Sequence, residues 1–306
     1  MTRTVQGTPA GSIGVRGTGQ SAVPSDHARA VADLVRVHGP RVHALALRLC
    51  RNRADAEDVV QDVFTQALRK WHTFRGESNP GTWLYTIAVR MCKARIRRGN
   101  AARRMVAASQ LMPWGETTVM EVAAAPEGRE DEHEKQEAIE RVQREITRLP
   151  EHLRLPLVLK DVVELSVENV AEVLGLAVNT VKTRLHRARL ALRKAMTTGA
   201  ASVEAPMPIY EKQVCLDLLK AKMEAMDRGG VAAGQRVPKA ELCARCRAVF
   251  RELDLVQDAC SRMDDMKLPS ALREKILSEL KAREAAERAA SVHPRRGRKP
   301  VAARRR

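Results

Sequence analysis

Asn179, Thr180, Lys182, Thr183, Arg184 and Arg187 crowd into one short stretch, and no Asp or Glu interrupts the chain from Asn179 to Lys194. Amides and hydroxyls hydrogen-bond to base edges while Lys and Arg hold phosphates, so the set suits reading of duplex DNA. A second set is sulfur. Cys215, Cys243, Cys246 and Cys260 lie in the last third of the chain, the middle two as Cys-Ala-Arg-Cys. Two thiolates at that spacing can share one ion, and four can complete a Zn²⁺ site. A thiol redox switch and plain packing remain open beside the metal reading, since a buried cysteine also fits an apolar helix seam. Cys50 and Cys92 have no partners at ligand spacing and are assigned to the core. No catalytic constellation emerges: the eight His are scattered, and the glycines form no phosphate loop.

The basic set needs a helix-turn-helix to present it. Ala171 stands four residues before Gly175 and Val181 six after it. A small residue lets two helices press together, and glycine suits a turn with φ > 0. Val181, Leu185, Ala188 and Leu192 then make an inward stripe, which turns the basic and polar residues outward.

Upstream, Asp55, Asp58 and Asp62 share one face of a helix whose other face is Ala56, Val59, Val60, Val63, Phe64, Ala67, Leu68 and Trp71. The next helix, from about Thr82 to Arg98, reverses the charge: Arg90, Lys93 and Arg97 share a face, and Trp83 and Tyr85 stand at its start. Rings stack on unpaired bases and cations hold the backbone, so this helix suits a single strand. Trp83 serves a core equally well. His27 to Arg98 reads as at least three helices, the first with a break or kink at Gly39-Pro40.

The chain has 306 residues, with 54 Lys+Arg against 37 Asp+Glu, a net +17 that suits an anionic partner. No apolar run is long enough to span a membrane, and residues 1–27 have no signal-peptide core, so a cytoplasmic protein with reduced thiols is expected.

The segment DAEDVVQDVFTQALRKWHTFRGESNPGTWLYTIAVRMCKARIRR (Asp55–Arg98) is followed by LPEHLRLPLVLKDVVELSVENVAEVLGLAVNTVKTRLHRARLALRK (Leu149–Lys194). Together they resemble the bacterial RNA polymerase sigma factors, in particular the short extracytoplasmic-function (ECF) type with regions two and four only. The resemblance implies that Asp55, Asp58, Gln61 and Asp62 dock on core RNA polymerase. It implies that Trp83, Tyr85, Arg90, Lys93 and Arg97 hold the minus-ten promoter DNA. Asn179, Thr180, Lys182, Thr183, Arg184 and Arg187 would read the minus-thirty-five element. The chain departs from the family at Val89-Arg90, Ala94, Glu164 (frequently Gly) and Asn169 (frequently Glu), so promoter sequence does not carry over.

Beyond Met196 a further helical unit is expected. Leu216, Leu219, Met223 and Met226 form one stripe; Cys246, Val249, Leu253, Val256, Cys260 and Met263 a second; Leu272, Ile276 and Leu280 a third. The unit looks similar to the zinc-binding anti-sigma domains, except that Lys239 stands where they carry His.

The expected fold is all-α: a leader at 1–25, region two at 26–99, a flexible acidic linker at 100–134 and region four at 135–197. A linker at 198–208, a small helical bundle with regulatory cysteines at 209–290 and a basic tail at 291–306 complete it. The expected function is promoter-specific initiation as a polymerase subunit, not an enzyme. No cofactor is required for it, Zn is a candidate ligand of the C-terminal unit, and the fused unit stands in for a separate anti-sigma partner. A helix-turn-helix regulator that binds duplex DNA without joining the polymerase is the alternative.

Overall fold

The computed structural model describes residues 24–50, 52–97, 111–120, 132–198, 202–229, 242–263 and 267–292. Residues 1–23 of the expected leader at 1–25, residues 293–306 of the expected tail at 291–306 and Lys239 lie outside these residues, whereas 24–25 and 291–292 are helical. Ten α-helices and one two-stranded ribbon occur among the described residues: α1 Pro24–Leu49, α2 Arg53–Lys70, α3 Pro80–Arg97, β1 Thr118–Met120, α4 Glu132–Arg148, α5 Glu151–Leu157, α6 Val167–Leu174, α7 Val178–Thr197, β2 Ser202–Glu204, α8 Lys212–Arg228, α9 Ala244–Arg262 and α10 Ser270–Val292.

α1, α2 and α3 pack on one another through the stripes read from the sequence; Val59, Val60, Val63, Phe64 and Ala67 are buried. Asn52 caps α2, its Oδ1 accepting from the Asp55 backbone N–H at 2.7 Å. α1 runs through Gly39-Pro40 rather than breaking there. A side chain at Gly39 would press into Leu268, because a Cβ there would stand 2.9 Å from Leu268 Cδ2.

The helix-turn-helix is α6 and α7. Ser166 caps α6, accepting from the Asn169 N–H at 3.0 Å, and Gly175 ends it with φ +64°. Val181, Leu185, Ala188 and Leu192 are fully buried, as their spacing requires.

Two expectations change. The linker at 100–134 is not flexible throughout: β1 pairs antiparallel with β2 from the second linker, Val119 opposite Val203, and α4 begins at Glu132. The ribbon lies on α9 through Val119, Ala205 and Ala248. The last three helices do not form a bundle of their own. α8 pairs with α9, but α10 lies on α1 and α2, where Leu272, Ile276 and Leu280 join the region-two core.

α9 is the centre of the assembly. Its first half, with Cys246, Val249 and Leu253, faces α8; its second, with Val256, Cys260 and Met263, enters the core shared by the other two parts. It also packs against α4, α7 and the wide helical turn Val158–Val162.

Candidate nucleic-acid interface

On α7, Asn179, Thr180, Thr183 and Arg187 are exposed, and Lys182 and Arg184 are half-buried. The buried stripe beneath them fixes this face as the outward one. The same helix carries a feature that its charge alone did not reveal. Arg189 and Arg193 are completely buried and paired. Arg189 takes Asp161 with Nε at 2.8 Å and Nη2 at 2.7 Å, and Asp227 of α8 with Nη1 at 2.6 Å. Arg193 takes Glu252 of α9 at 2.7 Å and Glu116, just before β1, at 2.5 Å. Burial opposes the charge on Arg189, but Asp161 and Asp227 outweigh it and raise the guanidinium pKa. Burial likewise opposes ionisation of Asp227, yet His186 and Arg189 hold its carboxyl below the usual range.

On α2, Asp58 and Asp62 are exposed, while Asp55 is half-buried and bound by Arg95 of α3, whose Nη2 also reaches Asp58 at 3.3 Å. Gln61 is not free: its Nε2 donates to Glu279 Oε1 of α10 at 2.5 Å. The acidic face is therefore partly covered by the C-terminal helix.

On α3, Arg90 is exposed and Lys93 half-buried. Arg97 is the last residue of α3; its side chain lies outside the described residues. Trp83 is half-buried among rings, 5.7 Å from Trp71 and 5.5 Å from Phe74 between centroids. Tyr85 is displaced from the strand-binding set: it is 1% exposed, with its hydroxyl 3.3 Å from His38 Nδ1. The helix turns that position toward α1, two residues on from Trp83 and about 200° around the axis.

A cleft of about 960 Å³ runs between α2 and α3, lined by Asp62, Gln66, Trp83, Arg90 and Arg95, and Glu172 of α6 closes one side. A smaller cleft of about 260 Å³ contains both Lys93 of α3 and Arg184 of α7. One candidate strand-holding residue, Lys93, and one duplex-reading residue, Arg184, thus face a common space.

The family model for Sigma-70 region 2 matches residues 34–102, and that for Sigma-70, region 4 matches residues 139–192. The ECF RNA polymerase sigma factor SigW of Bacillus subtilis is 34% identical over 168 residues, 54% of this chain and 88% of that protein. This chain belongs to the ECF RNA polymerase sigma factors. As a sigma factor it directs RNA polymerase to promoters to initiate transcription. The ECF sigma factor SigE of Mycolicibacterium smegmatis is 32% identical over 189 residues, 60% of this chain and 67% of that one. The solved structure of CnrH in complex with the cytosolic domain of CnrY is similar over 58% of this chain and 96% of that chain, at TM-score 0.42 and 24% identity.

Neither family model reaches past residue 192 of this sigma factor. There the structure gathers Cys215, Cys243 and Cys246, all buried, with their sulfurs within 4.8 Å of one another. Cys260 is not with them. It sits on the same continuous helix as Cys246, about 21 Å further along at 1.5 Å per residue, and is fully buried beside Arg48 in the common core. Burial pushes its thiol pKa up. The four-cysteine zinc set is corrected to three thiols, which suit a metal ion but do not complete a tetrahedral zinc shell among the described residues. Burial opposes the Cys243 thiolate too, yet backbone N–H groups around it, Cys246 first, hold its pKa below the ordinary value.

Proposed function

We propose that this sigma factor is held in a closed, promoter-incompetent form by its own C-terminal helices. The observation that supports this reading is the shared cleft of Lys93 and Arg184. The two promoter elements are separated by roughly 25 base pairs, about 85 Å at ~3.4 Å per pair. Groups that line one cleft cannot engage both. The domains must part, and parting is opposed by the direct packing of α3 on α6 and of α1 on α4 and the Val158–Val162 turn. It is opposed as well by α9, which packs on α4 and α7 and is tied to α1 where Arg48 Nε meets Met263 Sδ at 3.3 Å.

In the open form Asp58 and Asp62, with Asp55 and Gln61, dock on core RNA polymerase. Arg90, Lys93 and Trp83 hold the melted minus-ten strand, and Asn179, Thr180, Lys182, Thr183, Arg184 and Arg187 read the minus-thirty-five duplex. The protein acts as a polymerase subunit in the cytoplasm, not as an enzyme. Among the described residues no helix is long and apolar enough to cross a membrane.

The test uses the full chain. Leu272→Asp with Ile276→Asp should loosen α10 from α1 and α2, raise affinity for core polymerase and increase run-off transcription. Adding Asp58→Lys and Asp62→Lys should abolish core binding with helicity by circular dichroism intact. Equal core affinity in wild type and the α10 variant would refute self-inhibition, and undiminished binding in the charge-reversed variant would refute the docking assignment.

A further inference from the structure

Among the described residues the three gathered thiols have no fourth ligand, and an all-thiol set of three points to a different ion. Cys215 comes from α8, and Cys243 and Cys246 from the start of α9. The Cys215 and Cys246 sulfurs are 3.7 Å apart. Two thiolates on one ion stand about 3.8–4.0 Å apart when each bond is about 2.3 Å. That edge of the site is therefore near the size an ion needs, and Cys243 Sγ lies within 4.8 Å of both other sulfurs.

The donor set is all sulfur. From Thr198 to Val292 the sequence contains no histidine, and its remaining cysteine is Cys260, far along α9. A gap of about 30 Å³ beside Cys215 and Cys246 is walled by Trp114, Leu219, Val249 and Phe250, with Arg245 as its charged residue. Soft thiolates without nitrogen or oxygen donors select soft ions.

We propose that Cys215, Cys243 and Cys246 form a three-coordinate site for Cu(I). Binding deprotonates three thiols and leaves the oxidation state of the metal unchanged. One Cu(I) and three thiolates carry a net charge of −2, and two features offset it. The Arg245 guanidinium lines the gap, held by the backbone carbonyls of Pro113 at 2.9 Å and Trp114 at 3.1 Å. The N-terminus of α9 points at the sulfurs, with the Cys246 N–H 3.4 Å from Cys243 Sγ.

The ion would pin α8 to α9, the helices that carry Asp227 and Glu252. Only this consequence for promoter activity rests on the closed form proposed above.

The experiment titrates full-length protein with Cu(I) under anaerobic conditions against bathocuproine disulfonate. The expected result is one Cu(I) per chain, an ultraviolet thiolate-to-copper band, and X-ray absorption fitted by three sulfurs alone. Cys215→Ser and Cys246→Ser should lose the stoichiometric ion, whereas Cys260→Ser keeps it. Cu(I) should also raise the thermal midpoint of wild type but not of Cys215→Ser, which reads the site whether or not transcription responds. A fourth nitrogen, oxygen or sulfur scatterer, binding that survives Cys215→Ser, or zinc retained through a chelator wash would overturn the proposal. Copper binding with unaltered transcription would leave the site standing and remove only its regulatory consequence.

Discussion

Arg193 of α7 and Glu252 of α9 meet inside the protein, Nη1 2.7 Å from Oε2, with neither side chain more than 1% exposed. Interior charges of this kind are weak as glue but exacting in geometry. Removing one partner strands the other, whereas removing both is tolerated better. Glu252 also accepts from the Met120 N–H at 2.6 Å, so one carboxylate ties the ribbon, α9 and the helix-turn-helix together. Glu252→Gln should lower the stability of the closed form by about 1.5–3 kcal/mol, the range for hydrogen bonds to charged groups. Urea unfolding of the full chain measures it. A double-mutant cycle with Arg193→Met should show strong coupling, and an unchanged urea midpoint in Glu252→Gln would argue against a stabilising latch.

Glu164 occupies the left-handed region, φ +62°, at the position where the family frequently has glycine. A side chain there costs about 1–2 kcal/mol. Its carboxylate meets Arg41 of α1 at 3.3 Å, but the pair is well exposed and contributes at most about 1 kcal/mol. Glu164→Gly should therefore leave the protein as stable or slightly more so, despite losing an ion pair. A clear fall in the urea midpoint would show the opposite balance.

Trp83 and Lys93 should separate in their effects. Trp83 belongs to the ring cluster with Trp71 and Phe74, so Trp83→Ala should lower the thermal midpoint as well as promoter opening. Lys93→Ala should reduce opening alone. Permanganate footprinting beside a melting curve distinguishes them; wild-type opening in Trp83→Ala would confine that ring to the core.

Acidification should loosen α8 from α7 only well below neutrality. The Asp227 carboxyl is held below its usual range because, against the cost of burial, His186 Nε2 stands 3.4 Å from it and Arg189 donates to it. Its contribution is in full force above the unfolded carboxylate value of about 3.9 and is lost as pH falls through the lower folded value. Hydrogen exchange of α8 should stay slow down to about pH 4. Asp227→Asn should speed it at neutral pH, and equal exchange in the two proteins would remove Asp227 from the latch.

Much of the interface was legible in the sequence because its signals are local. Helix periodicity alone placed Val181, Leu185, Ala188 and Leu192 inward and Thr183 and Arg187 outward, and Gly175 announced its own positive φ. Cys246 and Cys260 were placed in one metal set although the single stripe they share on one helix already holds them about 21 Å apart. Partners distant in the chain were not legible. The partners of Arg189 and Arg193 are far from them in the chain: Asp161 is brought by the Val158–Val162 turn, Glu116 by the segment before β1, and Asp227 and Glu252 by the C-terminal helices folding back. Nor does the stripe Leu272, Ile276, Leu280 name the surface it covers. An apolar stripe fixes which face of a helix turns inward, but the hydrophobic effect has no direction and selects no particular partner. That choice is made by shape and charge in three dimensions, where α10 meets α1 and α2 rather than its neighbours in sequence.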